Sequence, residues 1–392
     1  MFQIRTYNKI SDKGLSRFDQ SRYQVGEDIA QPDAVVLRSQ KLHNEKLPNS
    51  VLAVARAGAG VNNVPVENYT EKGIVVFNTP GANANAVKEL VLAGMLLSSR
   101  GILEGKNFVE GLTHMDDSAE MSKFLEGEKK RFAGSELAGK KLGIIGLGAI
   151  GSMVANVALA LDMEVLGFDP ALSVEAAWKL SSNVRRMESI QALLSEVDYL
   201  SLHVPAIPAT KDMINAETLK FMKADAAILN FARDAIVDSK AVLDALNNNA
   251  LRQYICDFPE PWLLGNEKVI ALPHIGASTA EAEENCAVMA VNQLKDYLEN
   301  GNIKNSVNFP QTEMARGENG CRITFTNKNV SGVLGKVLSV FAEHEVNVID
   351  MVNKSREDVA YNILDMAERP SDAVIDAVKA VEHVISLRVL CA

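Results

Sequence analysis

The first eighty residues alternate short apolar runs with turn-forming residues. Runs at 2–6 (FQIRT), 33–37 (DAVVL), 51–55 (VLAVA) and 74–77 (IVVF) are nearly continuous and β-branched. That is how strands buried on both faces read. Helical spacers fit between them, so a parallel α/β lobe is expected. No Gly-rich phosphate loop follows its first strand. Residues 84–99 form one long apolar stretch, with Val87, Leu90, Val91, Gly94 and Leu97 on one helical face. Residues 100–139 are more polar and carry EGEKKR at 126–131, a solvated connection between lobes.

A second α/β rhythm begins at Lys140. Strands are expected at 142–145, 164–168, 197–202, 226–230, 252–256 and 268–271, with helices at 149–161, 174–182 and 238–248 between them. Alternating β and α predicts a doubly wound parallel sheet. An amphipathic helix over 278–300 follows a Ser278-Thr279 cap signal. Residues 301–319 are polar, lack periodicity and read as a linker. The remainder changes rhythm: strand 321–326, helix 332–344, strands 346–352 and 358–366, helix 371–382 and strand 384–390. That βαββαβ order is the ferredoxin-like arrangement. The expected fold class is therefore α/β: two doubly wound parallel-sheet lobes and a terminal ferredoxin-like unit. The expected division is 1–92 with 276–305 for a flavodoxin-like substrate lobe and 93–275 for a Rossmann-like cofactor lobe. A linker at 306–319 and a regulatory unit at 320–392 complete it.

Charge narrows the partners. Forty Lys and Arg against fifty Asp and Glu leave the 392-residue chain at −10. An acidic chain without long basic runs argues against nucleic acid or an anionic membrane as its main partner. No run approaches ~18 consecutive apolar residues, so no membrane span is expected. The start, MFQIRTYNKI, lacks the layout of a signal peptide. Cys256, Cys286, Cys321 and Cys391 form no C-x-x-C pair. Neither a zinc knuckle nor a disulfide framework is indicated, no metal is expected, and a reducing, cytoplasmic setting fits.

Two constellations carry chemistry. Gly146-Leu-Gly148-Ala149-Ile150-Gly151 follows a strand and opens a helix, and Asp169 ends the next strand. This is the dinucleotide fingerprint. Gly146 permits the tight turn, Gly148 lets a pyrophosphate approach, and Gly151 lets helix and strand pack closely. The open N–H groups of the helix N-terminus face the phosphate. Asp169 would bind ribose hydroxyls and repel a 2′-phosphate, which favours NAD. Pro170 follows it, with no nearby arginine. The second constellation is Arg233 (NFARDAIVD), Glu260 (CDFPEP) and His274 (LPHIGAST), each beyond the carboxyl end of a strand. Ligands bind at that edge of open α/β sheets. Arginine can hold a carboxylate in a bidentate fork. Histidine can take a hydroxyl proton, and a carboxylate bonded to the imidazole would orient it. The set suits oxidation of a 2-hydroxy acid.

These motifs, together with VLRSQKL at 36–42, ARAGAGVNNV at 55–64 and NTPGANANAVKEL at 78–90, resemble the D-2-hydroxyacid dehydrogenase family and within it the D-3-phosphoglycerate dehydrogenases. The terminal unit resembles an ACT domain. The resemblance implies an NAD-dependent oxidoreductase that converts 3-phosphoglycerate to 3-phosphohydroxypyruvate at the start of serine synthesis. It implies Arg233, Glu260 and His274 as catalytic groups, and Arg38, Ser39, Arg56, Gly58, Ala59 and Gly60 around the substrate. Gly276, His203, Val204, Pro205, Thr210, Phe231, Ala232 and Asp257 would join the fingerprint residues around the cofactor. Asn327, Asn329 and Asn347 match an amino-acid effector site, with L-serine as the natural ligand, and a homo-oligomer, dimer or tetramer, is implied. Two departures stand out. Asp234 replaces the usual glycine after Arg233, and Asp257 and Glu260 lie three apart where five is common. The alternatives are another D-2-hydroxyacid dehydrogenase, such as one for 2-hydroxyglutarate, or a non-catalytic NAD(H)-sensing corepressor.

Overall fold

The computed structural model describes residues 1–317 and 320–391. The chain forms two compact units, Met1–Asn83 with Ala280 onward, and Ala84–Thr279.

The first unit opens with a parallel sheet of β1 (Phe2–Thr6), β2 (Tyr23–Gly26), β3 (Ala34–Leu37), β4 (Ala53–Arg56) and β5 (Val75–Phe77), ordered β2-β1-β3-β4-β5. The continuous apolar runs are the fully buried strands β3, β4 and β5. YQVG at β2 lacks such a run because it lies at the sheet edge. The helix Ala280–Asn300 lays Ala287, Ala290, Val291, Leu294 and Leu298 on this sheet. Gly14 lets the short helix Asp12–Leu15 approach it, since a Cβ there would collide with Ala287.

The second unit carries a seven-stranded, all-parallel sheet. Its strands are β6 (Lys141–Ile145), β7 (Glu164–Phe168), β8 (Arg185–Arg186), β9 (Tyr199–Leu202), β10 (Ala227–Asn230), β11 (Gln253–Cys256) and β12 (Val269–Ala271). Their order, β12-β11-β10-β9-β6-β7-β8, reverses direction at β6. That topological switch point is where dinucleotides bind. The helix Ala84–Ser99 packs Val87, Val91 and Met95 into this unit's core.

Within the first unit the chain ends in an antiparallel sheet of β13 (Cys321–Lys328), β14 (Val348–Arg356), β15 (Val359–Met366) and β16 (Val384–Cys391), ordered β14-β15-β13-β16. Two helices, Val333–Glu343 and Asp372–Lys379, cover one face around Ile323, Phe325, Leu364 and Met366. This is the ACT-like ferredoxin arrangement.

Three sequence readings need correction here. Of the expected linker, residues 301–317 are packed against the first unit, and 318 and 319 lie outside the described residues. Asn308 accepts from Val76 N (2.8 Å) and donates to Ile74 O (2.9 Å), so its amide extends the free edge of β5. Phe309, Thr312 and Met314 are buried. A polar segment without periodicity was in fact satisfying a strand edge. A ferredoxin-like unit with helices on one face leaves its other face open to pair with a second copy, but here that face is covered. Val359, Tyr361 and Ile363 join the core of Ile4, Phe77 and Leu298. Tyr361 donates to Gly301 O (2.7 Å), and Arg388 lies over the Tyr297 ring while donating to Tyr297 O and Leu298 O. Arg322, 1% exposed, pairs with Asp365 and donates to the carbonyls of Asn300, Met314 and Ala315. Finally, Cys321 and Cys391 are disulfide-bonded. They face each other across β13 and β16. A separation of 70 residues hides this pairing from any spacing rule, and the cysteine usage no longer argues for a reducing compartment. Cys256 and Cys286 are free and buried.

Candidate active site

The fingerprint turn sits at the carboxyl end of β6. Gly146 adopts φ +91°, and a Cβ there would strike the His203 carbonyl. A Cβ on Gly151 would strike the Gly146 carbonyl, so helix and turn touch through glycine alone. Gly148 caps the helix Ala149–Ala160 with no side chain bonded to its first turn. Nothing lies within 4 Å of where its Cβ would be. This open, donor-rich corner fits a pyrophosphate. Asp169 is held at the end of β7 by Leu147 N (2.8 Å) and Ala171 N (2.9 Å), with Pro170 between. The fit to NAD rests on these features.

The other residues expected around the cofactor shape loops. Thr210 donates to Pro205 O (2.5 Å) and accepts from Ile207 N (3.0 Å), closing the loop after Val204. Phe231 is buried in the core and Ala232 is half-buried. His203 is half-buried, with Nε2 2.8 Å from Ser201 Oγ, and its buried Nδ1 has no partner among the described residues. Burial pushes its pKa down to about 3. It is a neutral imidazole at pH 7, not an acid–base group.

Asn230, Cys256 and Ala271 are aligned across β10, β11 and β12. Arg233, Glu260 and His274 follow them at the same sheet edge. Asn230, fully buried, anchors the first loop by accepting from Ala232 N (3.2 Å) and donating to Arg233 O (2.9 Å). Arg233 and His274 are exposed. His274 adopts φ +57° and stacks at a tilt on Phe258, with ring centroids 4.8 Å apart. Asp257, 1% exposed, accepts from Ile275 N (2.7 Å) and Gly276 N (2.6 Å). Both its oxygens are therefore spent on the loop that presents His274, and Gly276 leaves room for them. Glu260 accepts from Ser239 Oγ, which in turn accepts from Trp262 Nε1 (3.0 Å). Among the described residues, no hydrogen bond joins Glu260 to His274; Ser239 takes the place expected for the imidazole. Burial pushes the neighbouring Cys256 thiol up to about 11.

The residues of the first unit expected around the substrate gather at the ends of β3 and β4. Arg56 Nε donates to Arg38 O (3.1 Å). Its guanidinium lies where a Cβ on Gly58 would be, so a larger residue there would push the Arg56 side chain aside. Asn78 donates to Ala59 O (2.6 Å), and the Ala59 and Gly60 N–H groups have no acceptor among the described residues. Asn8, with φ +64°, accepts from Ser39 N (3.0 Å) and Gln40 N (2.7 Å). Asn63 donates to Arg38 O and Gln40 O. Sequence reasoning missed Asn8, Asn63, Asn78, Asn230 and Ser239. Asparagines beside strand ends were the available signal. Among the described residues no group of three His, Cys, Asp or Glu could hold a metal.

In the terminal module, Asn327 is buried, donating to Lys328 O (2.7 Å) and accepting from Asn362 (2.8 Å). Asn329 donates to Glu357 O (3.0 Å), and Asn347 is exposed. Two of the three expected effector amides thus already serve the fold.

Residues 106–276 match the NAD-binding domain of the D-isomer specific 2-hydroxyacid dehydrogenases. The chain is 32% identical over 351 residues to D-3-phosphoglycerate dehydrogenase of Haemophilus influenzae, covering 87% of this chain and 81% of that protein. This chain belongs to the D-2-hydroxyacid dehydrogenase family. It is an NAD-dependent dehydrogenase of that family. The match to D-3-phosphoglycerate dehydrogenase of Escherichia coli (strain K12) is 32% over 385 residues, 94% of this chain and 89% of that one. A crystal structure of NAD+-bound 3-phosphoglycerate dehydrogenase from Entamoeba histolytica superposes with TM-score 0.62 at 26% identity. It covers 78% of this chain and 98% of the other. No helix among the described residues is long and apolar enough to cross a membrane.

Proposed function

We propose that the chain oxidises 3-phosphoglycerate to 3-phosphohydroxypyruvate in serine synthesis. The observation that carries this reading is the alignment of Arg233, Glu260 and His274 beyond β10, β11 and β12, on the sheet that bears the dinucleotide turn. Arg233 would hold the substrate carboxylate through two parallel N–H···O bonds. His274 Nε2 or Nδ1 would accept the 2-hydroxyl proton as the C–H bond breaks, and would return it in the reverse direction. NAD supplies the hydride acceptor when bound. Glu260 lies at the same sheet edge and stabilises a positive imidazolium through its charge, from a position held by Ser239. Arg38, Arg56 and the N–H groups of the 57–60 turn are the first unit's own candidates for binding a substrate anion.

The terminal module is read as an amino-acid site for L-serine, supported by the exposed Asn347 amide. Calorimetry of the full chain with millimolar L-serine tests that. Ile102, Val109 and Phe124 are exposed along the helices Ile102–Glu110 and Ser118–Glu128. They support a homo-oligomer, which sedimentation would reveal as a mass at least twice that of the chain. A cytoplasmic setting goes with this reading. The test of the activity is NAD reduction by purified protein given 3-phosphoglycerate, with D-lactate and glycerate as controls.

A further inference from the structure

The helix Ala280–Asn300 ends among three arginines. The last four carbonyls of an α-helix have no partner inside it. Here each of them accepts from a guanidinium. Arg388 donates to Tyr297 O (3.1 Å) and Leu298 O (2.9 Å), Arg316 to Glu299 O (2.8 Å) and Arg322 to Asn300 O (2.9 Å). Positive charge at this end also suits the helix dipole. The three arginines gather beside one covalent bond. Arg322 follows Cys321 on β13, and Arg388 precedes Cys391 on β16. Arg316 also donates to Leu390 O (2.6 Å), next to Cys391. The bond between Cys321 and Cys391 closes the last rung between β13 and β16, and β16 lies at the edge of its sheet.

We infer that Cys321 and Cys391 form a reversible thiol–disulfide site, opened by a dithiol protein reductant, and that its state controls the capping of this helix. The two sulfurs differ in access. Cys321 is 3% exposed, and the gap beside it, lined by Arg316, Gly320 and Asp365, measures about 10 Å³, room for one water at most. Cys391 is half-buried on the edge strand, so an incoming thiolate reaches its sulfur first. That thiolate attacks Cys391 Sγ, the S–S bond breaks, and Cys321 leaves as a thiolate that takes up a proton. The reductant's second thiol then attacks the mixed disulfide and releases Cys391 as a thiol. Two electrons pass to the cysteine pair, and the reductant is left as a disulfide. The freed end of β16 frays from β13, because strand ends open at the lowest cost. Arg388 and Leu390 leave the helix with it, while Arg322 stays, held by Asp365. In the reducing setting that goes with the functional reading above, such a bond is one of two interconverting states. The access to Cys391 and the arginine caps do not depend on that reading.

The test uses the oxidised full-length protein under native conditions, without substrate or cofactor, so its outcome is separate from that of any activity assay. Thioredoxin with NADPH and its reductase serves as reductant, and dithiothreitol as a second one. Alkylation after a denaturing quench counts thiols: two before reduction, at Cys256 and Cys286, and four after it. A thioredoxin whose second active-site cysteine is replaced by serine traps the mixed disulfide, expected on Cys391. Hydrogen exchange then compares the two states. Reduction should speed exchange about tenfold or more in 384–391 and severalfold in 296–302, with 34–37 unchanged. Cys391→Ser should reproduce the reduced pattern; reduced wild type carries the comparison if that variant does not fold. Resistance of the folded protein to thioredoxin, or an adduct on Cys321, would overturn the inference. So would fraying of β16 that leaves 296–302 unchanged.

Discussion

His274 carries the heaviest demand of any single residue. Removing a positioned acid–base group costs ~10² to 10⁴ in rate. His274→Ala should therefore lower kcat by about 10²-fold or more, with the NAD dissociation constant nearly unchanged, as measured by steady-state rates and NADH fluorescence titration. His203 behaves oppositely. Its folded-state pKa is depressed to about 3, against ~6.5 for a free histidine. The unfolded chain therefore binds the proton more readily than the folded one. The stabilisation is complete above pH ~6.5 and declines as pH falls towards 3. Urea unfolding at pH 7 and pH 5 should show His203→Asn losing less stability over that interval than wild type. An equal loss would mean the ring is charged in the fold. Both histidines follow strands, and the sequence reading gave His274 the acid–base role and His203 a place beside the cofactor. Their different exposure depends on neighbours remote in the chain.

At the scale of elements, the strand-end loops are set by buried polar side chains. Asp257 spends both oxygens on Ile275 N and Gly276 N, so it orients the His274 loop. Asp257→Asn turns an N–H group towards one of those donors. It should lower kcat about tenfold or more, because an unsatisfied buried group costs ~1–3 kcal/mol. The NAD affinity should hold. Loss of NAD affinity with kcat retained would instead make Asp257 a cofactor ligand. Asp169, bonded to Leu147 N and Ala171 N, faces no nearby cation in its own loop. Asp169→Ser should raise the NADP-to-NAD ratio of kcat/KM severalfold. The sheet order and the dinucleotide turn were legible because apolar runs and glycines are local signals. The contact between Glu260 and Ser239 was not. It joins residues 21 apart whose meeting depends on how the helix Ser239–Asn247 packs.

At the scale of the whole molecule, the terminal module is part of the first unit rather than an appendage to it. The βαββαβ order was readable from strand and helix rhythm. Its covered face was not, because Val359, Tyr361 and Ile363 alternate like any sheet, and the buried residues that cover them, from Ile4 to Met314, lie about 45 residues or more away in sequence. Arg322, held within the module by Asp365, bonds to the carbonyls of Asn300, Met314 and Ala315 and so ties the module to the rest of the unit. Removing one partner of a buried pair costs ~3–5 kcal/mol. Asp365→Ala should lower the thermal midpoint by several degrees, where an independent module would show a change confined to its own transition. The disulfide closes a 70-residue loop. A loop of that size is worth ~4 kcal/mol in the chain-entropy model. Cys391→Ser should destabilise this same unit, and dithiothreitol should reproduce the effect in wild type.

The account depends most on the dehydrogenase chemistry of Arg233 and His274. The direct measurement is the initial rate of NADH formation from 3-phosphoglycerate and NAD, by nicotinamide absorbance, for wild type, Arg233→Ala and His274→Ala. The account predicts steady turnover by wild type, loss of about 10²-fold in kcat for His274→Ala, and a raised KM for 3-phosphoglycerate in Arg233→Ala. Wild-type turnover that survives the removal of His274 undiminished, or no NADH from 3-phosphoglycerate at all, would contradict it.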